Sequence, residues 1–291
     1  MARGIAKRGQ LGIMPLCCCF PTALAVLAKD ATMPRFAANL SLLFTEHTFL
    51  KRPLAAARSG FRAIEFHFPY EYEVGAVADG IKAAGVEPVL FNLPPGDWAA
   101  GERGLAAVPG REAEFMDGLE RALTYAEALG VNKLHVMAGV LADDSGRERA
   151  RATYLDNLQR AAERAAKANC TLLIEAINRR DMPGYFLDSP REAVAICAEL
   201  NHGNLGILFD IYHTQILGGD LCSMLDCAWP WLGHVQIAGV PGRHEPDAGE
   251  IDYRWLLAEL DRRGYAGWVG CEYHPPGATE AGLGWRQAYT G

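Results

Sequence analysis

The sequence has no CxxC pair, no glycine-rich phosphate loop and no surplus of basic charge. Each lack excludes something. There are eight cysteines, with Cys17, Cys18 and Cys19 consecutive and Cys170, Cys197, Cys222, Cys227 and Cys271 scattered. Without CxxC spacing, a thiolate zinc site has no support. The scattered cysteines sit in apolar surroundings and read as small core hydrophobes. That usage fits a reducing compartment, the cytoplasm, better than a disulfide scaffold. A doubly wound dinucleotide-binding sheet would usually carry GxGxxG after its first strand, and neither that motif nor GxxxxGK[ST] occurs. The formal charge is −7, which argues against a nucleic-acid partner, because such binding relies on cations that displace counterions from phosphate. One long apolar run stands out, Leu11 to Ala28, broken by Pro15 and Pro21 and preceded by Arg3, Lys7 and Arg8. It superficially resembles a signal peptide, but no other segment is long enough to span a membrane, and no membrane partner is expected. Met33 stands directly before the first clear strand. Residues 1–32 are therefore expected to be an N-terminal extension outside the fold, disordered or not native, with a targeting role as the alternative.

From Met33 onward, short apolar runs alternate with helical periodicity. Eight strand-like runs are predicted: Arg35–Leu40, Ala63–Phe68, Pro88–Asn92, Lys133–Ala138, Thr171–Ile177, Leu205–Ile211, Gly233–Ala238 and Trp268–Tyr273. Helical patterns lie between and after them, over Phe49–Ser59, Val74–Ala84, Glu112–Leu129, Arg147–Ala168, Pro190–Leu200, Cys222–Trp229, Tyr253–Arg263 and Thr279–Ala288. Near-continuous apolar strands are those of a parallel sheet covered by helices. Eight βα units in one chain predict a single (β/α)8 TIM barrel over 33–291, with an open doubly wound sheet as the alternative.

Four of these runs end in an oxygen ligand: Glu175, Asp210, Gln236 and Glu272. Their spacings are 35, 26 and 36 residues, close to the length of a βαβ unit, about 30. In such a barrel they end strands five to eight at one rim, the face where barrel chemistry sits. Three carboxylates and an amide oxygen favour a hard divalent cation, Mg²⁺, Mn²⁺ or Ca²⁺, over zinc, with Mg²⁺ expected first and Mn²⁺ as the alternative. Three carboxylates that close are costly to bury without a cation. The bland alternative, that each is only a strand-end residue paired with an arginine or capping a helix, is the better reading for any one alone and a poor one for all four. On the same rim fall His67, Asn92, His213 and Arg243, the candidates for substrate contact. The stretch from Asn92 to Gly110 is long, rich in Gly, Pro and Ala, and carries Trp98 and Arg103. Loops of that length are commonly functional, and this one is predicted to be a lid. Either Arg103 or Arg243 can fork a carboxylate, which lysine cannot.

The stretches NLPPGDWAAGERG (92–104), LLIEAIN (172–178), FDIYH (209–213), GHVQIAGVPGRHEPDAGEIDY (233–253) and GWVGCEY (267–273) resemble those of the hydroxypyruvate isomerase family, within the xylose isomerase-like barrel superfamily. The resemblance implies a divalent-metal aldose–ketose isomerase acting on small hydroxy or oxo acids. It also implies that Glu175 and Glu272 are its proton donor and acceptor. The 2-oxo-tetronate isomerases carry similar motifs and supply the nearest alternative; a ketose 3-epimerase is a more distant one. A Gln at 236 stands where ketose 3-epimerases use a histidine ligand. A DNA endonuclease of the same superfamily would need more histidine ligands and a basic groove, which the acidic chain does not offer. A homo-oligomer is compatible with the sequence but not indicated by it.

Overall fold

The computed structural model describes Met1, residues 34–141 and residues 144–289. The extension predicted over 1–32 lies outside the described residues apart from Met1, and the barrel belongs to the unit from Met33 onward. Eight parallel strands close into a ring: β1 (Arg35–Asn39), β2 (Ala63–Phe66), β3 (Glu87–Asn92), β4 (Lys133–His135), β5 (Thr171–Ile174), β6 (Leu205–Asp210), β7 (Leu232–Ile237) and β8 (Trp268–Cys271). The ring is completed by pairing of β1 with β8, Phe36 beside Val269. The helices are α1 (Arg52–Arg58), α2 (Val74–Ala84), α3 (Glu112–Leu129), α4 (Arg147–Ala166), α5 (Pro190–Leu200), α6 (Ile211–Leu217), α7 (Leu221–Ala228), α8 (Tyr253–Arg262) and α9 (Thr279–Gly282). This is the predicted TIM barrel.

Local chemistry sets the element ends. Gly85 and Gly130 close α2 and α3 in the left-handed region, at φ 67° and 70°, where a side chain would be strained. Ser189 caps α5 with Pro190 at its first position, and Asp252 caps α8 by accepting from the Trp255 N–H at 3.0 Å.

Side chains alternate across each strand, so the strands sort their own residues into two cores. Leu172 and Ile174 face outward to the helices. Leu173, Leu208, Ala37, Ala63, Val89 and Leu90 form a separate apolar plug inside the barrel. Two residues further along β5 and β6, the same inward face presents Glu175 and Asp210. Polar groups thus stack on an apolar floor, and this layering positions the site.

The structure departs from the expected elements in three places. Strands two, four, five and eight end two or three residues earlier than predicted, and past strand four the backbone turns to loop partners. The Ala138 N–H, for example, donates to the Tyr185 hydroxyl, and the Ala138 carbonyl accepts from Ala107. Helix α6 begins immediately after β6, where a loop is predicted. The last predicted helix is only α9 followed by a 3-10 turn over Leu283–Tyr289; Gly282 and Gly284 are poor helix formers, and Trp285 is tied to Tyr273 by a 3.1 Å hydrogen bond.

Part of the long β3–α3 connection, predicted to be a lid, is built into the core. Leu105, Ala106 and Ala107 are buried. Asn157 on α4 donates to the Ala106 carbonyl at 2.9 Å, and the Gly104 N–H reaches the Pro95 carbonyl at 2.8 Å. These contacts make residues 104–107 part of the core. Residues 96–103 stay exposed or half-buried outside it.

Candidate active site

The C-terminal ends of the strands surround a cavity of about 590 Å³. Glu175, Gln236, Glu272, His213, Arg243, Arg103, Asn92 and His67 all line it. Asp210 lies beneath, buried, and pairs in register with Gln236 on the next strand. The nine residues singled out from the sequence therefore share one rim.

Glu175 and Asp210 approach each other around His213. His213 Nε2 lies 3.8 Å from Glu175 Oε1 and 3.6 Å from Asp210 Oδ2. Asp210 has two jobs: its Oδ1 caps α6 by accepting from the Tyr212 N–H at 2.8 Å, while Oδ2 turns into the site. That cap places His213 one turn into α6, beside the carboxylate. Asn178 fixes the ring. Its Oδ1 accepts from the Arg180 and Asp181 N–H groups, so its Nδ2 faces His213 Nδ1, at 2.6 Å. Nδ1 thus faces a donor, while Nε2 faces the two carboxylates and Arg243 Nη1, 3.1 Å away.

Glu272 has different company. Its Oε1 lies 2.6 Å from His67 Nε2, and its Oε2 3.1 Å from Arg243 Nη2. The same Nη2 reaches Asp210 Oδ2 at 3.1 Å, and Asp181 stands 3.7 Å from Nη1. Arg243 adopts φ 54°, left-handed for a non-glycine residue; its carbonyl accepts from the His274 N–H at 2.7 Å. This strained backbone aims a guanidinium between two acidic strand ends. Arg243, one of the two residues predicted to hold a substrate carboxylate, is committed to the chain's own carboxylates. Arg103 is not: its guanidinium lies 3.7 Å over the Trp98 ring, and Nη1 donates to the Trp98 and Glu102 carbonyls. Trp98, 43% exposed, packs on Phe68 and roofs the cavity.

The electrostatics follow from burial and neighbours. Burial pushes Glu175 well above the usual carboxylate range, and the nearby Asp210 and Glu272 charges push the same way. Burial lifts Asp210 to about 7 against the pull of Arg243. Burial also works against ionised Glu272, but Arg243 and His67 prevail and hold it at about 2. Desolvation, then Arg243, depresses His213 well below its ordinary value, so the ring is neutral. Glu175 Oε1 and Gln236 Oε1 are buried without a hydrogen-bond partner among the described residues.

Several residues of the site were not singled out from the sequence. His135 ends β4 and stands 3.4 Å from Glu175 Oε2; the strand-end rule that finds Glu175 would also find it. Burial lowers it to about 4. Asp181 and Tyr212 also line the cavity. Glu65 and His234 are fully buried inside the barrel beneath it, 2.7 Å apart. Nothing in their local sequence tells an inward-facing polar residue from one that caps a strand.

Residues 53–289 match the family model described as xylose isomerase-like TIM barrel. Over 259 residues, 89% of this chain and all of the relative, the sequence is 54% identical to a 2-oxo-tetronate isomerase of Cupriavidus necator. It is 45% identical to the hydroxypyruvate isomerase of Escherichia coli, over 88% of this chain and all of that one. A crystal structure from Brucella melitensis, described as an AP endonuclease of family 2, superposes with a TM-score of 0.86 at 47% identity, covering 89% of this chain and all of that one. The chain belongs to the xylose isomerase-like TIM barrel family, in the branch that contains the hydroxypyruvate and 2-oxo-tetronate isomerases.

Proposed function

We propose that the protein is a metal-dependent aldose–ketose isomerase that interconverts hydroxypyruvate and 2-hydroxy-3-oxopropanoate through a cis-enediolate. The observation that carries this reading is the set of oxygens at the ends of β5 to β8. Asp210 and Glu272 share the Arg243 guanidinium, Glu175 meets Asp210 around His213, and two buried oxygens, Glu175 Oε1 and Gln236 Oε1, have no partner among the described residues. Burial, with neighbouring carboxylates adding to it, drives two of the carboxyls toward their neutral forms, a cost that a divalent cation offsets. The donor set fits Mg²⁺ or Mn²⁺, with Glu175, Asp210, Gln236 and Glu272 as ligands. His213 fits less well as a fifth, because Arg243 Nη1 already contacts its Nε2 at 3.1 Å. A bound cation would supply Lewis-acid stabilisation of the negative charge that develops on the two neighbouring substrate oxygens.

The remaining chemistry falls to side chains. Isomerisation takes a proton from one carbon of the substrate and returns it to the next. Glu175 and Glu272, on strands five and eight, flank the cavity and can serve the two carbons. Their surroundings differ: Arg243 and His67 hold Glu272 as the anion, while Glu175 sits where its protonated form is favoured. His213 would contact a substrate oxygen, and Asn92 and His67 share the lining. Arg103, on the overhanging part of the lid, takes the substrate carboxylate. Residues 96–103 with Trp98 shield the enediolate from water.

The 54% identical relative named a 2-oxo-tetronate isomerase favours the same proton transfer on a four-carbon acid as the second reading. An assay of purified protein with hydroxypyruvate, 2-oxo-tetronate and a neutral ketose, with and without Mg²⁺, separates the readings. Turnover of hydroxypyruvate above the others is the expected result; turnover of the neutral ketose alone would overturn the acid-isomerase reading. In the same assay Arg103→Ala raises KM for the acid about 10- to 100-fold, the worth of a hydrogen-bonded charge pair, with a smaller change in kcat. An unchanged KM would remove Arg103 from substrate binding.

A further inference from the structure

A glutamine differs from a carboxylate as a metal ligand: turning its amide over replaces an oxygen lone pair by two N–H donors. Something must therefore choose which end of Gln236 faces the cavity. Glu65 lies on β2, across the barrel from Gln236 on β7, and its Oε1 accepts from Gln236 Nε2 at 2.7 Å. Anchoring the nitrogen leaves Gln236 Oε1 as the end directed away from Glu65, and that atom is buried and unpartnered among the described residues.

The Glu65 carboxylate is itself over-determined. Asn39 Nδ2 donates to Oε1 at 3.0 Å, and His234 Nε2 contacts Oε2 at 2.7 Å. Asn39 cannot turn round, because its Oδ1 accepts from the Ser41 N–H at 3.0 Å. Gly270 on β8 leaves the room: a Cβ there would lie 2.4 Å from Glu65 Oε2 and 2.5 Å from Oε1. Three donors and a missing side chain thus hold one buried carboxylate across the barrel interior, 0% exposed. Of these three donors, Gln236 is the one that also lines the cavity.

We infer that Glu65 is a positioning residue that orients the Gln236 amide, presenting its oxygen to the cation site and keeping its N–H groups away. Outer residues that orient a ligand in this way typically contribute 10- to 100-fold to metal affinity. The inference rests on the proposed metal site, and the test distinguishes the two. Mn²⁺ affinity is measured by calorimetry on the wild-type chain and on Glu65→Leu, Glu65→Gln and Gly270→Ala, with thermal melts to verify folding.

Glu65→Leu removes the acceptor and frees the Gln236 amide; binding weakens about 10- to 100-fold. Gly270→Ala, which deletes no polar group but displaces the carboxylate, weakens it in the same range. Glu65→Gln is the conservative rescue. With its amide oxygen at the Oε1 position it still accepts from Asn39 and Gln236, and its NH₂ faces a His234 ring that can shift its proton to Nδ1. Its loss stays below about tenfold. Wild-type protein that binds no Mn²⁺ overturns the metal reading and this inference with it. Wild-type binding matched by folded Glu65→Leu or Gly270→Ala overturns the inference alone, as does a folded Glu65→Gln that loses as much as Glu65→Leu.

Discussion

Glu175→Gln and Glu272→Gln each lower kcat/KM for isomerisation by at least about 100- to 10,000-fold, the range that a positioned general acid or base supplies. Glutamine keeps the size of the side chain and one oxygen, so it leaves the cavity and one ligand atom in place while removing the ability to carry a proton. Activity is read in both directions, together with exchange of the carbon-bound hydrogen against deuterated solvent. Full activity of either variant would remove the two-carboxylate mechanism. The two substitutions part company in stability. Glu175 is buried without a hydrogen-bonding cation among the described residues and prefers its neutral form, so a neutral amide there leaves the metal-free protein as stable or more so. Glu272 is held as an anion by Arg243 and His67; glutamine weakens both contacts and costs about 1–3 kcal/mol. A raised or equal Tm for the first and a lowered Tm for the second, with the same loss of activity, would separate catalytic from structural roles. This is the trade-off expected where function keeps a charge that the fold would exclude.

The difference between Glu175 and Arg243 shows where the sequence is informative. A parallel strand must be apolar on both faces, so an acidic residue at its end is a departure from pattern, and four departures at βα spacing are a rim. That logic places Glu175, Asp210, Gln236 and Glu272 on adjacent strands, as the barrel does. It does not reach the role of Arg243, which depends on a loop turning through a left-handed residue to set a guanidinium between two strand ends. Loop geometry of that kind is not written in periodicity.

Nor does periodicity show that one residue serves two purposes. Capping a helix and ligation are weighed for Asp210 as alternatives, whereas one oxygen starts α6 and the other turns into the site; read as a ligand alone, it leaves the helix that carries His213 as loop. Glu65 is the deeper case. A glutamate in the middle of AIEF looks like a strand-end polar residue, and its partners, Asn39, His234 and Gln236, are 26 to 171 residues away. Only barrel closure brings β7 and β2 across from one another. The lid departs in the opposite direction: its composition says loop, but Leu105 to Ala107 pack into the core because α4 supplies a hydrogen bond for the Ala106 carbonyl.

Chelation is the second large effect. Protein stripped with EDTA loses isomerase activity and regains it with Mg²⁺ or Mn²⁺, while zinc restores less, because a shell of carboxylate and amide oxygens suits hard cations. The cause is charge. Three buried carboxyls, only two of them paired with the Arg243 guanidinium, leave an excess of negative charge, relieved in the metal-free chain by raising Glu175 and Asp210 toward their neutral forms. Each proton so taken up is a charge missing from the ligand set, so cation binding must release protons. Calorimetric titrations of Mn²⁺ in buffers of different ionisation enthalpy report that release directly. The same cation stabilises the fold by mass action, about 2.7 kcal/mol at one hundred times its dissociation constant, and raises Tm in step with its concentration. Two results would sink the metal centre: a fully stripped protein that keeps its rate, or a Tm indifferent to Mn²⁺. Arg243 would then be the only cation between Asp210 and Glu272 among the described residues, and the enediolate charge would fall to its guanidinium and to His213.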